Sequence, residues 1–224
     1  RQRSPGLVAV LNSPGAGLIG DDIRKAMDEG GFECPNVFLE CPTSSTPMPN
    51  SVGSTLRSVM ESLAPVRGNV RNGTVVLLGL SIIDKDWMSA REELSGYLTD
   101  MGLEIICCPG AGSSTAELLA SVDAEFAVVV CPEMCEGLSE FYSDIGVTVI
   151  RSEAGAPVGL DSTEAWVSKV AEVTGCDPAE ALARISGCRA RVRERFYGMR
   201  YNSARIRGLT FSIAGTASVV RPLT

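Results

Sequence analysis

Histidine is missing altogether from this chain of 224 residues. Its absence excludes Ser–His–Asp triads, histidine general bases and histidine-ligated metals from this segment. The eight cysteines include no C-x-x-C pair, so neither a zinc ribbon nor a thioredoxin-type redox site is expected. Any metal held by these residues would depend on thiolates or carboxylates.

Long apolar runs are also missing, and positive charges are outnumbered by negative ones. No run approaches the roughly 18 apolar residues that a membrane-spanning helix needs, and the N-terminus does not read as a signal peptide. We therefore expect a cytoplasmic chain without membrane contact, in which an even number of cysteines is only a weak indication of disulfides. The formal net charge of −7 argues against general nucleic-acid binding.

Apolar strands and amphipathic helices alternate along the chain. The pattern predicts strands at Leu7–Asn12, Asn36–Glu40, Thr74–Leu80, Leu103–Cys108, Phe126–Val130 and Gly146–Ile150, and the helices between them include Val52–Leu63, Ser89–Met101 and Met134–Ile145. Strand–helix alternation with short connections predicts an α/β fold, a Rossmann-like, doubly wound parallel sheet.

The second half of the chain predicts two more helices and a last strand. Asp161–Val173 begins with the capping-box spacing of Asp161 and Glu164. The next helix, from Asp177 to about Met199, combines dense arginine with an apolar stripe at Ala181, Ile185, Cys188, Val192 and Phe196. Leu209–Ala214 predicts a strand without a visible partner. We expect one domain to end at residue 66, a second over 67–176, a connecting helix over 177–207 and a truncated third domain over 208–224.

Two successive strand–helix turns carry the candidate site. Pro109–Ser113 is glycine-rich, and Cys131 stands at the C-terminal end of an apolar strand. Because the C-terminal ends of parallel strands share one edge, we expect Gly110, Gly112, Ser113 and Cys131 to face one crevice. The thiol could ligate an iron cluster or be a small buried hydrophobe. The glycine turn could cradle an anion or simply require positive φ.

Motifs in the same order resemble nitrogenase component 1, and its α-type subunit in particular. The matching segments are Leu18–Asp22 (the LIGDD signature), Phe38–Cys41 with the later Gly53, Leu78–Trp87, Gly110–Leu118, Phe126–Cys131 (the strand that delivers a cofactor-ligating cysteine) and Gly155–Thr163. The resemblance covers nearly the whole chain and corresponds to the middle portion of such a subunit.

The resemblance implies an oxidoreductase that receives electrons from an ATP-dependent iron–sulfur reductase partner and passes them through a metallocluster to its substrate. It further implies a paired component 1 subunit, in a homo- or hetero-oligomer. Cys131 would be a ligand of an iron–sulfur or related cluster, with Gly110, Gly112 and Ser113 also at the cofactor. No catalytic side chain is assigned. The fragment alone is expected to be inactive and to carry no cluster.

Departures from the family pattern argue against dinitrogen as the substrate. Pro14 stands where the family has a bridging-cluster cysteine, Gly53 is followed by Ser54 rather than histidine, and the arginine of the third domain is replaced at about Ala217. The turn Pro109–Gly112 lacks the family's aspartate. Two alternatives stay open: a non-catalytic scaffold for assembly of an iron–sulfur or iron–molybdenum type cluster, and a metal-free α/β domain that binds small molecules.

Overall fold

Two parallel sheets lie within the residues that the computed structural model describes, which are 5–12, 15, 22–40, 47–198, 210 and 212–223. The first pairs β1 (Val8–Asn12) with β2 (Asn36–Glu40). The second contains β3 (Arg71–Leu78), β4 (Glu104–Cys107), β5 (Ala124–Val129) and β6 (Thr148–Ile150), in the order β4-β3-β5-β6. The predicted parallel α/β architecture is therefore confirmed.

The helices alternate with these strands. They are α1 (Ile23–Glu29), α2 (Met48–Leu63), α3 (Trp87–Asp100), α4 (Thr115–Ala120), α5 (Glu136–Asp144), α6 (Leu160–Thr174), α7 (Ala179–Gly198) and α8 (Ala217–Val220), with 3₁₀ turns at Ser121–Asp123, Pro132–Met134 and Arg221–Leu223. No helix in the described part of the chain combines the length and the apolar character needed to cross a membrane.

The second half of β3, Val75–Leu78, is apolar without interruption because both faces of its sheet are covered. Val75 and Leu77 belong to a core cluster that includes residues of α3, α6 and α7. Val76 and Leu78 belong to a second cluster, together with residues of α2 and α5. Helices thus pack on both faces, as a doubly wound sheet requires.

α2 begins at Met48, four residues earlier than the sequence predicts. Pro49 lies in its first turn, where a missing N–H group costs no intrahelical hydrogen bond. Proline-rich composition usually indicates a loop, but in this segment it is compatible with the start of a helix. Met60 of this helix is fully buried in the core of the second sheet. The domain boundary at residue 66 stays a prediction.

Side chains cap two of the helices, but the capping box predicted from the sequence for a third does not form. Ser114 and Glu117 form a capping box at the start of α4, and Asp22 accepts the Lys25 N–H at the start of α1. The box predicted for Asp161 and Glu164 is wrong, because Gly159 precedes α6 and no side chain caps it. Both carboxylates instead pair with Arg189 of α7, at 2.6 and 2.8 Å.

The C-terminal residues do not form the strand predicted at Leu209–Ala214. Of those residues, 210 and 212–214 have no regular secondary structure, and 209 and 211 lie outside the described residues. The chain then enters α8, which docks on the second sheet's C-terminal edge near Cys131. Pro14, Cys41 and most of the LIGDD segment also lie outside the described residues.

The strand order creates a switch point between β3 and β5. The chain runs from β3 to β4 on one side, then crosses to β5 on the other side of β3. The connections that leave β3 and β5 therefore diverge and open a crevice beyond their C-terminal ends. Ligands of open α/β sheets bind at such a point.

Candidate functional site

A cavity of about 480 Å³ lies at the switch point. Gly79 and Leu80 reach it from the end of β3, and Val130 and Cys131 from the end of β5. Its walls are largely apolar, with contributions from Trp87, Leu94, Met134, Pro157, Leu160 and Val219. Its polar lining includes the carboxylates of Asp84, Asp86 and Glu93. A mostly apolar pocket with a few convergent polar groups is the usual form of a small-molecule site.

Cys131 is the thiol in the lining of this cavity. Its residue is 6% exposed, and its Sγ donates to Glu133 Oε2 at 3.5 Å and lies 3.6 Å from Ser218 Oγ. Burial raises the pKa of the Cys131 thiol, and the contact with Ser218 only partly opposes this shift. The group is therefore a protonated thiol that a ligand or a metal would first have to deprotonate.

Glu133 ties the C-terminal segment to this edge of the sheet. Its Oε1 accepts the Ser218 N–H at 2.8 Å, and its Oε2 accepts the Ser218 hydroxyl at 2.5 Å. Burial alone would raise the pKa of Glu133, but the hydrogen bonds that its carboxylate accepts from Ser218, from its own backbone and from Cys131 together lower the pKa below its ordinary value. The carboxylate is thus ionised and fully engaged.

Gly79 allows the two strand exits to approach one another. Its φ is +89°, and a Cβ at this position would lie 2.4 Å from the carbonyl oxygen of Cys131. Glycine adopts this conformation without strain and leaves that space free. The position of the Cys131 backbone therefore depends on a missing side chain on the neighbouring strand.

The glycine turn after β4 lies at the same edge as Cys131, but the exit of β3 separates the two. Gly110 and Gly112 have φ of +82° and +87°, which explains why the turn needs glycine. Ser113 Oγ accepts the Cys108 N–H at 2.8 Å and so closes the same turn. Gly110, Gly112 and Ser113 do not line the cavity. The cavity is thus formed by the exits of β3 and β5, and the role expected for Gly110, Gly112 and Ser113 at a cofactor stays a prediction.

A cluster-binding group of ligands is not assembled by the described residues. No three Cys, Asp or Glu side chains among them come together as a metal-binding group. Cys135 and Cys107 are buried in the second core cluster, where burial raises their pKa values to about 12 and about 11. Because iron–sulfur clusters need several protein ligands, the single thiol of Cys131 does not hold one without ligands from elsewhere.

Glu133, Ser218 and Gly79 belong to the site but are not among the residues that the sequence predicts there. Glu133 stands two residues after Cys131 and could have been considered with it. Gly79 directly follows an apolar strand, which is a signal for a turn. Ser218 is 85 residues from its partner Glu133, and no local pattern marks such a contact.

The second half of α7 extends beyond the domain it packs on. Ala181 and Ile185 are buried, whereas every residue from 190 to 197 is exposed. The exposed part includes Val192 and Phe196, at 44% and 62%, and three of the helix's arginines. The predicted apolar stripe is therefore covered by this chain along its first half only.

The chain matches known proteins over most of its length. A family model described as nitrogenase component 1 type oxidoreductase matches residues 1–224. A light-independent protochlorophyllide reductase subunit of Rhodospirillum rubrum is 26% identical over 181 residues, which cover 75% of this chain and 33% of that protein. The corresponding subunit of Roseobacter denitrificans is 23% identical over 164 residues, covering 73% and 31%.

A solved structure of nitrogenase Cp1 at pH 5 has the same fold. The TM-score is 0.61 at 15% sequence identity, over 87% of this chain and 38% of that one. The chain spans about a third of the length of the curated relatives named above.

Proposed function

Because this chain belongs to the nitrogenase component 1 type oxidoreductases, we propose that it is part of a reductase that receives electrons from an ATP-dependent iron–sulfur partner protein. The resemblance seen in the sequence is confirmed at the level of the family. The parent protein would deliver the electrons to an organic substrate rather than to dinitrogen.

The apolar cavity at the switch point is the observation that supports an organic substrate. Its walls include Trp87, Leu94, Val130 and Leu160, and its volume is about 480 Å³. Burial of apolar ligand surface stabilises a complex in such a pocket. The relatives are named as protochlorophyllide reductases, so protochlorophyllide, a large conjugated molecule, is the first substrate to test.

We propose that Cys131 is the residue of this segment that ligates a metallocluster. Gly110, Gly112 and Ser113 remain predicted cofactor contacts. The proposal for Cys131 is supported by its place at a strand end and in the lining of the cavity. A cluster supplies electron storage when it is bound. The other ligands would have to come from other parts of the parent protein or from a paired subunit, since the described residues offer one thiol here.

The test is turnover by the full-length parent protein with its reductase partner, ATP and protochlorophyllide. We expect reduction of the substrate, and we expect Cys131→Ala to lower bound iron and activity together while the fold persists. Cys107→Ala is the matched control, since it truncates a buried thiol outside the cavity. Undiminished iron and activity in Cys131→Ala would remove Cys131 from the site.

Two other functions make different predictions in the same assay. A scaffold for cluster assembly would bind iron but show no turnover. A metal-free binding domain would bind the organic ligand without iron, and the presence of one thiol rather than a ligand set among the described residues favours this second candidate. Iron analysis and ligand titration on the full-length protein distinguish the three.

A further inference from the structure

We propose that Glu133 is a positioning residue that holds the C-terminal segment 216–220 across the cavity and so controls access to the Cys131 thiol. We call the two Glu133–Ser218 hydrogen bonds the Glu133 clasp. This proposal rests on the proposed function in one respect: it takes Cys131 to be the group that a ligand must reach. The Glu133 clasp itself can be tested without any turnover.

The segment forms part of the cavity wall. Thr216 and Val219 line the cavity together with Cys131, and Ser218 lies 3.6 Å from the Cys131 Sγ. Ser218 approaches Cys131 from a position 85 residues later in the chain than Glu133. The segment therefore covers the thiol on the side of the Ser218 contact.

Hydrogen bonds hold the segment in place more than apolar packing does. Ser218 is its buried residue, and both neighbours, Ala217 and Val219, are exposed or half-buried. A helix of four residues is not stable alone in water. Each polar group of Ser218 has a partner: the N–H and hydroxyl donate to Glu133, and the carbonyl accepts the Ala156 N–H at 2.9 Å.

The two hydrogen bonds to Glu133 are those in which the acceptor is a charged carboxylate. Hydrogen bonds to an ionised carboxylate are stronger than those between neutral groups. The contact with Ala156 depends on Gly155, since a Cβ there would lie 2.6 Å from the Ser218 carbonyl oxygen. Loss of the carboxylate would leave the Ser218 N–H and hydroxyl without their acceptors, and the segment would leave the thiol exposed for part of the time.

Timed alkylation by iodoacetamide tests the Glu133 clasp in the full-length protein after treatment with a chelator. Mass spectrometry with fragmentation gives the rate at Cys131, and the buried Cys107 reports global unfolding. In Glu133→Ala we expect Cys131 to react about tenfold faster or more, with Cys107 unchanged. Glu125→Ala is the control, because Glu125 also accepts a backbone N–H, from Gly73 at 2.6 Å, but lies outside the cavity.

A second variant separates opening from a change in thiol chemistry. Removal of the Glu133 charge would itself favour the thiolate, whereas Gly155→Ala leaves Glu133 and its charge in place and displaces Ser218 by steric overlap. Acceleration at Cys131 in both variants, and not in Glu125→Ala, supports the proposal. Unchanged alkylation in Gly155→Ala, or equal acceleration at Cys107, overturns it. Because chelated protein is used, failure here leaves the proposed reductase function untouched.

Discussion

The close approach of Gly79 to Cys131 makes a strong prediction about Gly79→Ala. The new Cβ would lie 2.4 Å from the carbonyl oxygen and 2.6 Å from the nitrogen of Cys131. Both are backbone atoms, and the preceding Val130 N–H is bonded to the Leu78 carbonyl at 2.8 Å. Cys131 therefore has little room to retreat.

The expected loss of stability has two parts. The left-handed backbone costs an alanine about 1–2 kcal/mol, and overpacking against a fixed backbone costs about 1–3 kcal/mol. We expect Gly79→Ala to lower the free energy of unfolding by about 2–5 kcal/mol. The variant should also displace Cys131 from its place in the cavity.

Gly102→Ala isolates the backbone part of this loss. Gly102 has φ of +79°, but no atom lies within 4 Å of its added Cβ. We expect it to lose only about 1–2 kcal/mol. Urea unfolding of both variants with a common m value measures the difference. Equal losses would refute the argument that the Cys131 backbone is wedged against Gly79.

Three further predictions concern other parts of the fold. Ser114→Ala removes the capping box of α4 and should cost about 1 kcal/mol in urea unfolding, whereas the exposed Ser143→Ala should change stability by less than about 0.5 kcal/mol. Ile185, on the covered half of α7, is buried, and Ile185→Ala should destabilise the chain by about 2–5 kcal/mol. We expect the exposed half of α7 to contact a paired subunit, so Phe196→Ser should leave stability unchanged but weaken assembly, measured by sedimentation; unweakened assembly would count against that contact. Burial raises the pKa of Cys107 from 9.0 to about 11. The contribution of the buried thiol to the free energy of unfolding is therefore complete below pH 9.0 and is lost as the pH rises through about 11. Cys107→Ala should flatten this part of the plot of unfolding free energy against pH.

The strand–helix alternation could be predicted because it depends on local patterns. The run from Thr74 to Leu78 is apolar on both faces, and the structure covers both faces. The place of Cys131 at a strand end follows from the same reasoning. These features need only the chain's own periodicity and no knowledge of which strands are neighbours.

The strand order and the contacts across the site could not be predicted. Nothing in the sequence states that β3 lies between β4 and β5, so local patterns place two successive turns in one crevice. The spacing of Asp161 and Glu164 suits a capping box, but Arg189 competes for both carboxylates from the next helix. Glu133 and Ser218 likewise meet through tertiary packing alone.

The placement of Met60 has a consequence for how this fold can be divided. α2 follows the first sheet in sequence, yet Met60 is buried with Val76 and Leu78 of β3. A chimera or a truncated variant joined at residue 67 would strip that helix from the second sheet and expose to water the part of this face of β3 that α2 covers. A transplantable module of this protein should therefore start before Met48, and recombination between related subunits should succeed more often upstream of α2 than in the linker that follows it.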